Sequence, residues 1–525
     1  WVEVEVRDDI LEWWFAYARS HKIARNALYF VQDYKRSYPF GSMLGQVLHT
    51  VREGEAIPTG GMEMIFNPLL TGKPGKRRIT RSPRHPLDMG KVIIHPENGA
   101  DIYLTINHDL QAIAEEEIAK GVQKAHAKSG WAIMMHPRTG QIYALAQYPF
   151  FDPSVYNKFF NDPALREETK VKGVTDAYEP GSTIKPLTVA ICLKANKELI
   201  KRGQKPLFSL SEKVETANGR FPGRSTLIKD THLHYYLNLH MAMQKSSDVY
   251  MARMAQRIIE RLGAAWYREA LQEWGFGIKT GIELPSESLG MLPKIGKQYA
   301  SGALQWSAST PYSLSYGYNL LVNSFQMLRS YSILANGGFD VKPTLIRKIV
   351  KTNRDGTESL LLDNTLKAVN SKRVLDKDIV QEVVTSMRYT TKSEGTASRA
   401  DIYGYTEVGK TGTAEKIIGG KYSKSVHLTS FIGFAPVTDP QFVLLVVIDE
   451  PEAKYIPGVG KNHMGGACCA PVFREIGIRT LQYLGVELDD PYGYPLGDPR
   501  YDPEKGDWIK ECRALKSLYQ AWNTR

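Results

Sequence analysis

Apolar positions recur with helical spacing between Ile10 and Tyr34, and Gly- and Pro-rich turns follow. The chain to about Asn98 therefore reads as a helix-bearing platform with no cluster of catalytic residue types. From Gly99 the pattern changes, because LTINHDLQAIAEEEIAKGV starts as a strand and passes into helical periodicity. Two apolar runs between Gly130 and Gln147 flank Pro137-Arg138-Thr139-Gly140, which predicts a hairpin. Helical stretches broken by loops run from Lys185 onward, and the last stops at Asn336-Gly337-Gly338. Strand patterns return over Tyr405 to Lys416, His427 to Ala435 and Phe442 to Asp449. The last of these, FVLLVVID, is almost wholly apolar and predicts a central strand buried on both faces. A sheet assembled from both ends of a domain, with helices inserted between, is α+β architecture.

Beyond Asp490 the Pro, Gly and Asp content of PYGYPLGDPRYDPEKGD marks a linker, and a short helix capped by Asp507 is expected after it. Trp508, Cys512, Leu515, Tyr519 and Trp522 share one face of that helix, which is expected to pack back onto its own domain, with docking onto a partner as the alternative. The chain thus divides into a platform over 1–98, a main domain over 99–490 and a linker with a short helix over 491–525.

Composition narrows the class. At 525 residues the chain exceeds the usual size of a single core, and 42% hydrophobic with 23% charged residues excludes a largely disordered or collagen-like protein. The formal charge of +11 favours an anionic partner such as a membrane surface or a carboxylate-bearing polymer. Its densest basic run, Lys73 to Arg84, has Pro and Gly but no interleaved aromatics, so it reads as a solvated loop and no nucleic-acid partner is expected. Cys192, Cys468, Cys469 and Cys512 have neither zinc spacing nor disulfide density, and the adjacent Cys468 and Cys469, in the small-residue run GGACCAPVF, are expected to be buried as small apolar residues rather than to do redox chemistry. The chain opens on Trp1 and holds no run of ~18 apolar residues, which leads to the expectation of a membrane anchor preceding Trp1.

Three short motifs occur in order: Ser182-Thr183-Ile184-Lys185, Ser246-Ser247-Asp248 and Lys410-Thr411-Gly412-Thr413. Pro186 is tolerated only in a first helical turn, so the helix begins near Gly181 to Thr183 and Ser182 sits at its N-terminus. There the helix dipole favours developing negative charge, and Lys185 falls on the same face as Ser182. A serine hydroxyl needs a neighbour to take its proton, and a neutral Lys185 can do so if burial disfavours the ammonium. Ser246 and Asp248 lie where one helical pattern ends and another begins. Lys410 to Thr413 lie on a strand pattern in which Gly412 allows close approach of a substrate backbone.

Two other strings compete. GYTEVGKT, Gly404 to Thr411, matches a phosphate-binding loop, but its interior favours strand and Gly412, Gly419 and Gly420 argue against a following helix. Lys279-Thr280-Gly281 is a second K-T-G, read as a turn because it lies in a Gly-rich loop between helices. The 12 histidines form no metal pair of the H-E-x-x-H type, and no G-x-S-x-G elbow is present.

Together the three motifs resemble the S-x-x-K, S-x-N and K-T-G set of penicillin-binding proteins and serine β-lactamases. The match extends through Arg36 to Gly41 (RSYPFG), Leu104-Thr105-Ile106, Tyr178 to Gly181 (YEPG), Gly275-Phe276-Gly277, Ala335 to Gly338, Gly395-Thr396 and Phe434-Ala435-Pro436. The chain so resembles a class B, monofunctional penicillin-binding protein. That resemblance implies the penicillin-binding and serine β-lactamase-like fold, an antiparallel sheet with helices, on an N-terminal platform. It implies a D,D-transpeptidase that cross-links peptidoglycan stem peptides through an acyl-Ser182 intermediate and is acylated by β-lactams. Lys185, Ser246, Asp248 and Lys410 would be the remaining catalytic groups, and Lys410, Thr411, Gly412 and Thr413 would bind the terminal carboxylate. Backbone amides of Ser182 and Thr413 would form the oxyanion hole. Asp248 departs from the commoner Asn; as a carboxylate it cannot donate a hydrogen bond and it favours a charged Lys185. This variant resembles the cell-elongation branch. The resemblance further implies no cofactor or metal, a lipid-linked precursor as substrate, a membrane glycosyltransferase and elongation or division proteins as partners, and a periplasmic or extracytoplasmic catalytic domain on the inner membrane. A serine β-lactamase, a β-lactam sensor and a non-catalytic peptidoglycan-binding scaffold are the competing readings.

Overall fold

A computed structural model describes residues 2–30, 36–52, 54–78, 92–365, 372–457 and 459–524. Trp1, the segment Val31 to Tyr34 of the expected first helix, and positions 79–84 of the basic run lie outside the described residues.

The first helix, α1 (Val4–Ser20), starts earlier than its periodicity predicts and ends at Ser20. Two residues later Lys22 takes a left-handed conformation (φ 55°), incompatible with continuing the helix. A strand, β1 (Asp101–Leu104), precedes α2 (His108–Lys124), whose N-cap is Asn107: its side-chain oxygen accepts from the amides of Asp109 and Leu110. The expected hairpin follows as β2 (Ser129–Met135) and β3 (Ile142–Tyr148). The helical middle of the chain contains α3 (Lys185–Lys201), α4 (Leu239–Lys245), α5 (Asp248–Leu262) and α6 (Ser324–Ala335). Helix α6 opens with a capping box between Asn323 and Gln326 and ends at Asn336, where the sequence predicts its stop.

Strands β4 (Ile346–Thr352) and β5 (Glu358–Asp363) join β1 in a small sheet of order β1-β4-β5. Helix α7 (Lys377–Thr391) leads into β6 (Val408–Ile418), β7 (Lys421–Ala435) and β8 (Phe442–Asp449), and α8 (Gly465–Tyr483) follows. The main sheet is antiparallel with order β6-β7-β8-β2-β3, so strands from both ends of the domain meet at β8 and β2.

Burial explains the apolar run of β8. Val443, Leu445 and Val447 enter one core with Trp131, Ile133 and α6, while Leu444, Val446 and Ile448 enter another beneath α2 and α8. Alternate side chains serve opposite layers, so no polar face remains. The helix-on-sheet-on-helix arrangement is the α+β fold expected, and β6 lies at the edge of its sheet.

The platform is tied to this body by polar contacts. Gln46 donates to the carbonyls of Pro149 and Glu168, and the Leu44 amide donates to Glu115. At the other end, α9 (Ile509–Asn523) packs on the same core through Cys512 and Leu515, with Trp508, Tyr519 and Trp522 partly buried against it. Asp507 is not its cap. Trp508 occupies that position in a left-handed conformation, and the Asp507 carboxylate pairs instead with Arg388. All four cysteines are free and buried. Among the described residues no helix is long and apolar enough to cross a membrane.

Candidate active site

The first motif forms a tight 3-10 turn, Gly181–Ile184, that runs directly into α3 with Pro186 in its first turn. Gly181 is left-handed (φ 56°), and its amide donates to Gly317 O at 3.1 Å. Thr183 Oγ1 donates to Pro180 O (2.8 Å), and the Tyr331 hydroxyl donates to Thr183 O (2.7 Å). These bonds hold Ser182 at the rim of a cleft, half-buried, with Lys185 fully buried one turn on. Among the described residues Ser182 Oγ has no hydrogen-bond partner, which leaves it free to meet an incoming group.

The second motif joins two helices. Ser246 ends α4 in a left-handed conformation (φ 57°, ψ 46°), and Ser247 caps α5 by accepting from the Tyr250 amide at 3.0 Å. The reversal aims both Ser246 and Asp248 at Lys185. Its Nζ lies 2.5 Å from Ser246 O, 3.0 Å from Ser246 Oγ and 2.6 Å from Asp248 Oδ1. Three acceptors match the three donors of an ammonium.

The third motif comes from β6. Lys410 is fully buried, and its Nζ approaches the same Ser246 Oγ at 2.8 Å. Thr411 Oγ1 donates to Thr396 Oγ1 (3.3 Å), and Thr413 Oγ1 accepts from the Gly465 amide at the start of α8 (3.2 Å). A Cβ on Gly412 would lie 2.5 Å from Ser430 Oγ and 2.8 Å from Pro180 O, so glycine is what lets β6 pass this close to the Ser182 turn.

The electrostatics follow from burial. Desolvation holds the Lys410 ammonium far below the usual lysine range, Lys185 pushes it the same way, and Asp248 opposes. Desolvation raises Asp248, the Lys185 ammonium pulls it back, and the neighbouring Asp230 carboxylate raises it further. Ser246 Oγ accepts from Lys185 Nζ and from Lys410 Nζ, so a single oxygen links the two lysines and can pass a proton between them.

The structure therefore brings Lys185, Ser246, Asp248 and Lys410 into one hydrogen-bonded cluster beside Ser182, with Thr411, Gly412 and Thr413 along the adjoining strand. The competing strings are elsewhere or otherwise shaped. Lys410 lies near the start of β6 and begins no helix, so Gly404 to Thr411 is no phosphate loop. Thr280 and Gly281 of the second K-T-G donate to Glu287 in a turn.

Sequence reasoning missed Asp230. Its carboxylate accepts from the amides of Asp248 (2.6 Å) and Val249 (3.1 Å) and from Ser247 Oγ (2.6 Å), so it fixes the start of α5 and the direction of Asp248. Nothing in KDTHLH distinguishes it, because the loop reaches α5 only through the tertiary fold. Gly317 and Glu179 were likewise unassigned. Burial raises the Glu179 carboxyl, which accepts from the Asn319 amide (2.7 Å) and the Tyr422 hydroxyl (3.0 Å) beside the Tyr316, Tyr318 and Tyr422 rings.

Known proteins resemble this chain over most of its length. The family model for the penicillin binding protein transpeptidase domain matches residues 130–477. The probable peptidoglycan D,D-transpeptidase PbpC of Pseudomonas aeruginosa is 31% identical over 463 residues, covering 88% of this chain and 72% of that one. The probable peptidoglycan D,D-transpeptidase PenA of Neisseria meningitidis is 29% identical over 474 residues, covering 88% and 71%. Among solved structures, penicillin-binding protein 3 of Mycobacterium tuberculosis in complex with aztreonam superposes with a TM-score of 0.68 at 25% identity, over 87% of this chain and 92% of that one.

Proposed function

This chain belongs to the penicillin-binding transpeptidase family, in its class B branch, and from that premise we propose how its own residues cross-link peptidoglycan. Ser182 Oγ attacks the carbonyl of the penultimate D-alanine of a donor stem peptide. Its proton passes into the Lys185–Ser246–Lys410 cluster and leaves on the amine of the departing terminal D-alanine. An amine of a second stem then attacks the Ser182 ester, the new amide forms as the C–O bond to Ser182 breaks, and a proton from that amine passes through the cluster to Ser182 Oγ. Lys410, Thr411 and Thr413 bind the terminal carboxylate, and the Ser182 and Thr413 amides stabilise the oxyanion, where one donor is typically worth about 10²- to 10³-fold in rate. β-Lactams acylate the same serine but are released slowly.

The observation that carries this reading is the placement of Ser246 Oγ, 3.0 Å from Lys185 Nζ and 2.8 Å from Lys410 Nζ, which joins all three motifs at one atom. The platform over 1–98 would set the main domain off from a membrane, with the catalytic face in the periplasm or outside the cytoplasm, a lipid-linked precursor as substrate and a membrane glycosyltransferase as partner. Asp248 supports service in cell elongation. Intact-mass analysis after exposure to a fluorescent penicillin tests the core of the proposal: the parent gains one stable penicilloyl group, Ser182→Ala gains none and Lys185→Ala gains it far more slowly. Equal labelling of the parent and Ser182→Ala overturns the assignment.

A further inference from the structure

The tail after Asp490 lies beyond the part of the chain matched by the family model, yet it reaches the proton path. Helix α9 docks on the ribbon that leads into α4. The Asn523 side chain accepts from the amides of Tyr235 (2.7 Å) and Tyr236 (3.1 Å), and the Tyr519 hydroxyl lies 2.8 Å from His234 Nδ1. One turn before Tyr519, Lys516 donates to Glu394 Oε1 at 2.8 Å.

Glu394 is the point where three segments meet. It stands in a left-handed conformation (φ 68°) between α7 and β6. Its Oε2 accepts from Lys245 Nζ at 3.3 Å, and its own backbone carbonyl accepts from the same Nζ at 3.1 Å. Lys245 also lies over the Tyr519 ring, 5.3 Å from its centre. Lys245 is the last residue of α4, and the next residue is Ser246. Two residues beyond Glu394, Thr396 holds Thr411 of the third motif.

We propose that Glu394 and Lys516 are positioning residues, through which the C-terminal helix fixes the end of α4 and so holds Ser246 Oγ between the two buried lysines. The proposal rests on the reading above that Ser246 relays protons during acylation. Ser246 has a left-handed backbone with no glycine to ease it, so its placement depends on what clamps the residues on either side. Asp230 clamps the side of Asp248, and the Lys516–Glu394–Lys245 chain clamps the other. Exposed ion pairs add little to stability, so loosening this clamp acts on geometry rather than on folding. A misplacement of about 1 Å at a reacting group can cost about 10²-fold in rate.

The test uses the full chain and the kinetics of penicillin acylation, resolved into the affinity of the initial complex and the rate of the covalent step. Glu394→Ala and Lys516→Ala are expected to slow the covalent step by about tenfold or more, with initial affinity and thermal midpoint close to the parent. The double variant is expected to be no slower than the worse single one, and Lys516→Arg to recover most of the rate. A covalent step unchanged in Lys516→Ala, or losses that multiply in the double variant, overturns the proposal. Lys516 is exposed, so this variant decides even where Glu394→Ala lowers the thermal midpoint. Labelling of Ser182→Ala in parallel separates the two failures: if it labels like the parent, the catalytic reading itself falls.

Discussion

Lys185 Nζ and Asp248 Oδ1 lie 2.6 Å apart, an ion pair set directly against the serine that both lysines of the site share. An amide at position 248 would leave Lys185 without its anionic partner. The carboxylate instead stabilises positive charge on the cluster, and it opposes the burial that disfavours the Lys410 ammonium.

Asp248→Asn removes that opposition. The cluster then gives up its proton more readily, so the acid limb of the acylation–pH profile is expected to move to lower pH, by about one unit. The measurement is the rate of penicillin acylation from about pH 4.5 to 9. A limb that moves to higher pH would show that Asp248 acts by some route other than its charge.

Gly317 is left-handed (φ 94°), and a Cβ there would run into the Gly181 carbonyl. Gly317→Ala is therefore expected to displace the Ser182 turn. Acylation should fall by about 10²-fold, with a stability loss of about 1–3 kcal/mol. Gly296 is also left-handed (φ 77°) but has nothing within 4 Å, so Gly296→Ala serves as the control and should acylate at the parental rate.

Asp490 is buried and pushed up to about 6, chiefly by desolvation, with Lys392 opposing and Asp401 and Asp489 adding. Its Oδ1 accepts from the Asp507 amide, while Oδ2 has no partner among the described residues. Because the folded state holds this proton more tightly than the unfolded chain, the stabilisation it gives is complete below about pH 4 and lost as pH rises through about 6. Asp490→Asn keeps the amide contact and carries no charge. It should match the parent near pH 4 and exceed it at pH 8 by about 1–3 kcal/mol, read from denaturant unfolding at both pH values.

Much of the fold was legible because it is written in local patterns. The run FVLLVVID announces a strand with no solvent face, and Asn336-Gly337-Gly338 announces the end of α6. The three motifs are contiguous strings, so they could be found; that they converge on Ser246 Oγ could be expected only through the family resemblance. What stayed illegible depends on tertiary pairing. Asp230 is one loop aspartate among many until α5 is folded against it. Asp507 looked like a helix cap, but Arg388 claims its carboxylate and Trp508 takes the cap position. The first helix was misplaced for another reason: periodicity marks its apolar face, but Lys22 ends it through a backbone conformation that periodicity does not encode.

Among the described residues, strand β6 has β7 on one side and no strand on the other. In most proteins such a rim invites unwanted pairing with another chain. Here it runs past the Ser182 turn, so an extended peptide laid along it would be received as a sixth strand and recognised mainly by its main chain. Recognition of that kind asks for an extended, unblocked backbone and makes few demands on side chains. An enzyme built this way would accept stems that vary in their third residue, and would owe its selectivity to the carboxylate that ends the strand.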